Sequence, residues 1–235
     1  MRILAFDSTA VAASVCLLEN GNVVGEFFIN TKLTHSRTLM PMAQALLNAV
    51  DIPLESVDCF AVAHGPGSFT GVRIGVSTVK GLAAPKNTPC FPVSSLRSMA
   101  YNLQDADGIV CAVMDARCHQ VYNALFRIHA GEITRLCEDR ALAIDDLAAE
   151  CKEFNETVIL VGDGAALCAK DPAFAGMNIV LAPEAKRQQR ASSVALAAWH
   201  AIQNGEETIS PAEIAPLYLR LPQAERELKA RTLKK

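Results

Sequence analysis

Three short stretches bring together residue types that can do chemistry. The apolar run RILAF at residues 2–6 stops at Asp7-Ser8-Thr9, the run VDCFAVA at 57–63 leads into His64-Gly65-Pro66-Gly67, and the run IVCAVM at 109–114 stops at Asp115. A carboxylate at the end of a buried strand can hold hydrated Mg²⁺ beside a phosphate, with neighbouring hydroxyls as donors. A glycine-rich turn from strand to helix exposes backbone N–H groups that can cradle an anion. Asp7, Ser8, Thr9, Gly65 and Gly67 are therefore the candidate nucleotide or anion site, with Asp115 as a second carboxylate. Each also has a plain structural reading, because Asp, Ser and Thr cap turns with their own side chains. For Asp115 the cap is the preferred reading.

Other chemistry is poorly supported. The spacing G-x-x-x-x-G-K-[ST] fails around Gly71, and Gly65, Gly67 and Gly71 give G-x-G-x-x-x-G with no acidic residue about twenty positions on to hold a ribose. No G-x-S-x-G elbow occurs. The five histidines show no H-x-x-x-H or H-E-x-x-H spacing, so no helical face offers two imidazoles to a metal. The eight cysteines are scattered without a C-x-x-C pair and are expected to be buried, reduced thiols.

The elements that must position these residues repeat. RILAF, ASVCLL at 13–18 and VVGEFFI at 23–29 make a three-stranded meander with Asn20-Gly21 as its hairpin turn. A helix follows from about His35 to Val50, with Leu39, Met42, Leu46 and Leu47 at helical spacing and Pro41 either in the first turn or at a kink. Then come the buried strand at 57–63, the glycine-rich turn and the helix VRIGVSTVKGLAA. From residue 109 the order recurs: strand, Asp115, strand VYNALF, Ala130-Gly131 turn, strand, helix LAIDDLAAECKEF, strand TVILV, and the turn Gly162-Asp163-Gly164. Two βββαβα lobes with an Asp turn and a Gly turn facing one cleft is the α/β architecture of the actin-like ATPase and sugar kinase superfamily. The expected lobes are 1–104 and 105–235, the second carrying the helix RASSVALAAWHAI and a charged tail expected to be mobile at its end.

Composition excludes several classes. The chain has 235 residues, 51% of them hydrophobic but only 6% aromatic, enough for a large aliphatic core. No apolar stretch approaches the roughly 18 residues of a membrane span, and no signal-peptide pattern opens the chain, which predicts a soluble cytoplasmic protein. A net charge of −3 argues against holding nucleic acid alone. No acidic residue falls between Asp58 and Asp105, whereas Arg73, Lys80, Lys86 and Arg97 do, so that window can face an acidic partner.

The segments MRILAFDSTA, HSRTLMP, AVAHGPGSFTGVRIGVSTVKGLA, PVSSL, MDARCHQVY and PLYLR together resemble the TsaB (YeaZ) family over nearly the whole chain. The resemblance implies a non-catalytic subunit of the machinery that forms N6-threonylcarbamoyladenosine beside the tRNA anticodon. Its direct partner would be the paralogue TsaD, which carries out the transfer, with TsaE as ATPase and TsaC as supplier of threonylcarbamoyl-adenylate. TsaD holds its metal through H-x-x-x-H after a Pro-Val dipeptide; here Pro92-Val93 is followed by Ser95 and Met99 at those positions, and a hydroxyl and a thioether do not replace two imidazoles. The chain is thus expected to carry no metal or cofactor of its own. ATP or ADP would belong to the assembled complex, tRNA would be met only through it, and the protein alone would be a homodimer.

The helix after the glycine-rich turn is intrinsically poor, since each glycine costs roughly 1 kcal/mol against alanine. Gly71 and Gly75, then Ser77 and Gly81, lie four apart and stack along helix faces, where small side chains let another helix approach. In the resembling family this helix and the one from His35 form the docking surface. The expected interface is Leu39, Met42, Leu46, Gly71, Val72, Arg73, Gly75, Val76, Val79 and Leu82. The alternative is an ATP-dependent phosphotransferase using Asp7 and Asp115. A peptidase finds no nucleophile or metal constellation to support it.

Overall fold

The computed structural model describes residues 1–220. The first sheet has the order β3-β2-β1-β4-β5, built from β1 (Arg2–Asp7), β2 (Ala12–Glu19), β3 (Asn22–Asn30), β4 (Cys59–Gly65) and β5 (Cys90–Ser94). The meander β1–β3 is antiparallel, whereas β1, β4 and β5 run parallel. Asn20 and Gly21 both take positive φ, 49° and 82°, as a two-residue hairpin turn matched to strand twist requires.

Alternation along the strands splits this sheet into two faces. Leu4, Phe6, Phe60 and Val62 point towards α1 (His35–Ala49) and α2 (Phe69–Ala83). Ile3, Ala5, Cys59, Ala61 and Ala63 point the other way, onto α7 (Ala191–Gln203). That second face is made of small residues, and α7 meets it with Ala191, Ala195, Ala197, Ala198 and Ala201. Helix and sheet therefore approach closely, and the low aromatic content becomes a packing feature.

The second sheet has the order β11-β10-β6-β7-β8, with β9 also pairing to β7. Its strands are β6 (Gly108–Asp115), β7 (Gln120–His129), β8 (Glu132–Arg135), β9 (Arg140–Ala143), β10 (Val158–Val161) and β11 (Ile179–Leu181). Ala130 and Gly131 repeat the hairpin angles of Asn20 and Gly21, 49° and 82°. Helices α4 (Ile144–Lys152) and α5 (Ala165–Lys170) cover one face, and α3 (Ser95–Tyr101) covers the other. A short α6 (Glu184–Arg187) leads into α7. The repeated strand, turn and helix order is present as expected, with β9 as an addition.

One expectation changes, and one of two alternatives is settled. Residues after 190 do not extend the second lobe: α7 packs on β1 and β2, and Ile209 pairs with Cys90 of β5, so the chain returns to the first lobe. The apolar partners of α7 on β1, β2, β4 and β5 all lie far upstream, and no local pattern marks that destination. Pro41 sits in the interior of α1, which continues past it. The expected mobility of the tail end concerns residues 221–235, outside the described part.

Candidate functional site

The turns carrying Asp7, Asp115 and Asp163 do converge on an interlobe cleft. Its volume is about 330 Å³, and its walls include Thr9, Ala10, Gly67, Ser68, Met114, Arg117, Asp163 and Arg220. The Ser8 and Thr9 donors expected to hold an anion there are already used within the chain. Thr9 donates both its N–H and its hydroxyl to Asp7 Oδ1, at 2.9 and 2.8 Å. Ser8 donates its hydroxyl to the Gly71 carbonyl at 2.9 Å. Ser8 and Thr9 are fully buried.

The glycine-rich turn packs closely on its inner side. A Cβ on Gly67 would lie 2.5 Å from the Thr9 carbonyl oxygen, and one on Gly65 would lie 2.3 Å from that of Leu217. Gly65 and Gly67 both have positive φ, 123° and 159°. Their small size therefore admits two carbonyl oxygens of the same chain. Ser8 and Thr9 thus turn their hydroxyls inwards onto Gly71 and Asp7, which corrects the expectation that they donate to a phosphate, while Gly65 and Gly67 serve close packing against Leu217 and Thr9.

Asp7 is left with one buried oxygen, Oδ2, that has no hydrogen-bond partner. Burial raises its carboxyl from the ordinary carboxylate range to about 6, against the lowering effect of the two Thr9 donors, while the carboxylates of Asp163 and Glu26 raise it further. Asp163 is open to cleft water but is also raised, first by desolvation in the cleft wall, with the hydrogen bond from Gln189 opposing. Folding thus favours neutral Asp7: this contribution to stability is fully present below about pH 4 and is lost as pH rises through about 6. Asp7→Asn, which mimics the neutral acid and keeps the Thr9 bonds, is expected to raise stability at pH 7.5 by about 2 to 3 kcal/mol and by little at pH 4. Urea unfolding at the two pH values measures this, and an equal effect at both would contradict it.

Asp115 behaves as the preferred reading has it. Its Oδ1 accepts from the Arg117 N–H at 2.7 Å, and its Oδ2 faces the Arg117 guanidinium at 3.2 Å. Among the described residues, one group of His and Asp gathers: His119 Nε2 lies 3.1 Å from Asp145 and its Nδ1 3.6 Å from Asp171. The ring presents a different nitrogen to each carboxylate. Ser95 and Met99 are wholly buried on α3, and Met99 packs between the sheets with Val110, Ala112 and Phe126. All eight cysteines are unpaired; six are buried, Cys118 is exposed and Cys137 is half-buried.

The poor helix finds its explanation inside the molecule. Helix α2 begins at Phe69, capped by the Ser68 hydroxyl accepting from the Gly71 N–H. A Cβ on Gly71 would sit 2.0 Å from the Ser8 carbonyl oxygen, and one on Gly75 would sit 2.7 Å from Ser8 Oγ and 3.3 Å from Val62. The two glycines let α2 lie directly on the turn after β1. Leu39, Met42, Leu46, Val72, Val76 and Val79 are buried with Leu4, Phe6 and Phe60 in the same core. With Gly71 and Gly75 they cannot present a surface to another subunit, so those eight members of the expected interface are corrected to core.

Arg73 is exposed, and Leu82 is half-buried at the edge of the core. Arg73 lies beyond the first turn of α2 rather than within it, with its guanidinium 3.9 Å above the Phe69 ring and Nε donating to the Tyr218 hydroxyl at 2.8 Å. The outer face shared by the two helices consists of Ser36, Met40 and Gln44 on α1 and of Arg73, Ser77 and Gly81 on α2. A shallow groove runs along it beside Ile74 and Thr78. Gly81 has nothing within 4 Å of where a Cβ would be. Helical spacing of four separated these residues into two ridges, and only the one with Ser77 and Gly81 faces outwards. The signal that would have sorted them was available: Gly71 and Gly75 share a face with Val72, Val76 and Val79.

Two βββαβα lobes, joined by a cleft whose Asp and Gly turns face one another, define a chain of the actin-like ATPase and sugar kinase superfamily fold. The chain matches the family described as tRNA N6-adenosine threonylcarbamoyltransferase, TsaD, over residues 23–228. It is 32% identical to the tRNA threonylcarbamoyladenosine biosynthesis protein TsaB of Bacillus subtilis over 96% of each chain. With the Escherichia coli protein of the same description it shares 38% identity, covering 70% of this chain and 72% of that one. The solved structure of YeaZ from Pseudomonas aeruginosa superposes with a TM-score of 0.78 at 26% identity, over 93% of this chain and 99% of that chain. The chain belongs to the TsaB family. Among the described residues no helix is long and apolar enough to cross a membrane.

Proposed function

We propose that the chain is a non-catalytic subunit in the formation of N6-threonylcarbamoyladenosine in tRNA, and that it docks on TsaD through the outer face of α1 and α2. The relatives in Bacillus subtilis and Escherichia coli are described as biosynthesis proteins for this modification. The observation that carries the finer reading is the pairing of TsaD likeness over residues 23–228 with buried Ser95 and Met99 where TsaD has its two histidines. A chain with the transferase fold and no pair of imidazoles at that place is suited to support a transferase. The inward-turned hydroxyls of Ser8 and Thr9 favour the same reading, since the phosphotransferase alternative needs them as donors to a phosphate.

Two paralogues that share a fold present related helix pairs, and α1 and α2 against their counterparts would make a four-helix bundle. Ser77 and Gly81 keep the centre of the outer face low enough for close helix approach, and Arg73 lies at its edge. The same face would pair with a second copy when TsaD is missing. In this reading ATP or ADP belongs to the assembled complex, TsaE and TsaC act in the same cytoplasmic pathway, and tRNA meets the chain only through the complex.

The test is reconstitution with TsaD, TsaE, TsaC, ATP, threonine, bicarbonate and unmodified tRNA. Nucleoside analysis is expected to show the modified base only when the chain is present, and the chain alone is expected to hydrolyse no ATP. Turnover by the isolated chain, or full modification without it, would refute the proposal.

A further inference from the structure

The segment after α7 makes a connected series of contacts that no role so far has used. It leaves the first lobe's edge at Ile209, which pairs with Cys90. The Ala212 carbonyl accepts from Lys80 at 3.1 Å, and Ile214 is fully buried against the α1 and α2 core. His64 Nδ1 lies 3.0 Å from the Ala215 carbonyl, and the Leu217 N–H donates to the His64 carbonyl at 2.7 Å. Tyr218 stacks on Phe69 with ring centroids 4.4 Å apart, and its hydroxyl is held by Arg73. Every one of these partners belongs to the first lobe.

Arg220 then reaches the other side. Its guanidinium donates to the carbonyl oxygens of Ala116 and Arg117, in the turn that follows β6 of the second lobe. That turn holds Arg117, Cys118 and His119 at φ 65°, 55° and 56°, three successive left-handed residues without a glycine. Such conformations persist only when surrounding contacts over-determine them. A guanidinium is suited to the task, because it offers several donors in a fixed plane and stays charged at any working pH. Leu217, Tyr218, Leu219 and Arg220 also line the cleft between the two lobes.

We propose that Ile214–Arg220 is an interlobe latch. The first lobe anchors it through Ile214, His64 and the Phe69 ring, and Arg220 clasps the Ala116–His119 turn so that the two lobes hold one closure. The motif PLYLR is the latch itself: Leu217 and Tyr218 seat it and Arg220 closes it. This inference concerns the isolated chain and does not depend on the docking proposal.

The test is a distance between spin labels on the two sides of the cleft. Val11, exposed at the cleft rim, and Leu167, exposed on α5 of the second lobe, are changed to Cys, and Cys118→Ser and Cys137→Ser remove the two native thiols that are not buried. Double electron-electron resonance is expected to give one narrow distance distribution with the latch intact, and one at least twofold broader with Arg220→Ala. Arg220→Lys, which keeps the charge and one donor at a time, is expected to fall between them. Tyr218→Ala attacks the latch at its other end and is expected to broaden the distribution as well. An unchanged distribution in both Arg220→Ala and Tyr218→Ala would overturn the proposal. So would loss of folding in both, because a latch made of rim contacts leaves the two cores intact.

Discussion

Gly71→Ala is expected to destabilise the native fold severely. The added methyl group would stand 2.0 Å from the Ser8 carbonyl oxygen and 3.2 Å from the Ser8 carbonyl carbon, both main-chain atoms that no rotamer change can move. To relieve the contact, α2 must withdraw from the turn after β1. That withdrawal breaks the bond from the Ser8 hydroxyl to the Gly71 carbonyl and disturbs the 2.7 Å bond from Ser68 N–H to the Thr9 carbonyl. It also opens the buried layer in which Val72 and Val76 meet Phe6 and Val62. Helix propensity alone predicts the opposite sign, a gain of roughly 1 kcal/mol. The steric term decides, with an expected loss of about 4 kcal/mol or more, a large part of the 5 to 15 kcal/mol of a typical domain. Soluble yield and a urea midpoint measure it; a variant as stable as the parent would contradict the packing described here. Gly81→Ala is the control, since the space around it is open, and it is expected to stabilise by about 0.5 to 1 kcal/mol.

Ser77→Arg is expected to weaken association with TsaD by about 100-fold, near 2.7 kcal/mol, without changing the fold. Ser77 is exposed midway along α2 and neighbours Arg73 one turn earlier, so a second guanidinium brings bulk and like charge to the centre of the proposed contact. The core-facing side of the helix is untouched. Calorimetry of the purified pair reads the affinity, and thermal unfolding of the variant alone reads the fold. Unaltered affinity with an intact fold would move the docking surface elsewhere.

Much of the scaffold was legible because its signals are local. The unbroken apolar run RILAF, the Asn20-Gly21 and Ala130-Gly131 turns and the doubled order of elements are all written in short windows. The direction each feature faces was not. Small residues four apart mark a close approach by something, and local spacing does not say whether that is a partner or the chain's own Ser8. Asp7 illustrates the same limit: a strand-end Asp followed by two hydroxyls looks like a phosphate site until Thr9 is seen to turn both donors back onto it. The cap reading of Asp115 needs only Arg117, two residues away, whose N–H donates to the carboxylate. The return of α7 to the first lobe depends on contacts across nearly the whole chain, beyond any window.

The central claim is that this chain works through a helix face and not through its cleft. The most direct measurement is nucleoside mass spectrometry of tRNA from the reconstituted system, comparing Ser77→Arg with Asp7→Asn in the buried turn behind the cleft. Modification lost with Ser77→Arg and retained at the parent level with Asp7→Asn is the predicted result. Modification retained with Ser77→Arg and lost with a folded Asp7→Asn would place the function in the cleft and contradict the account.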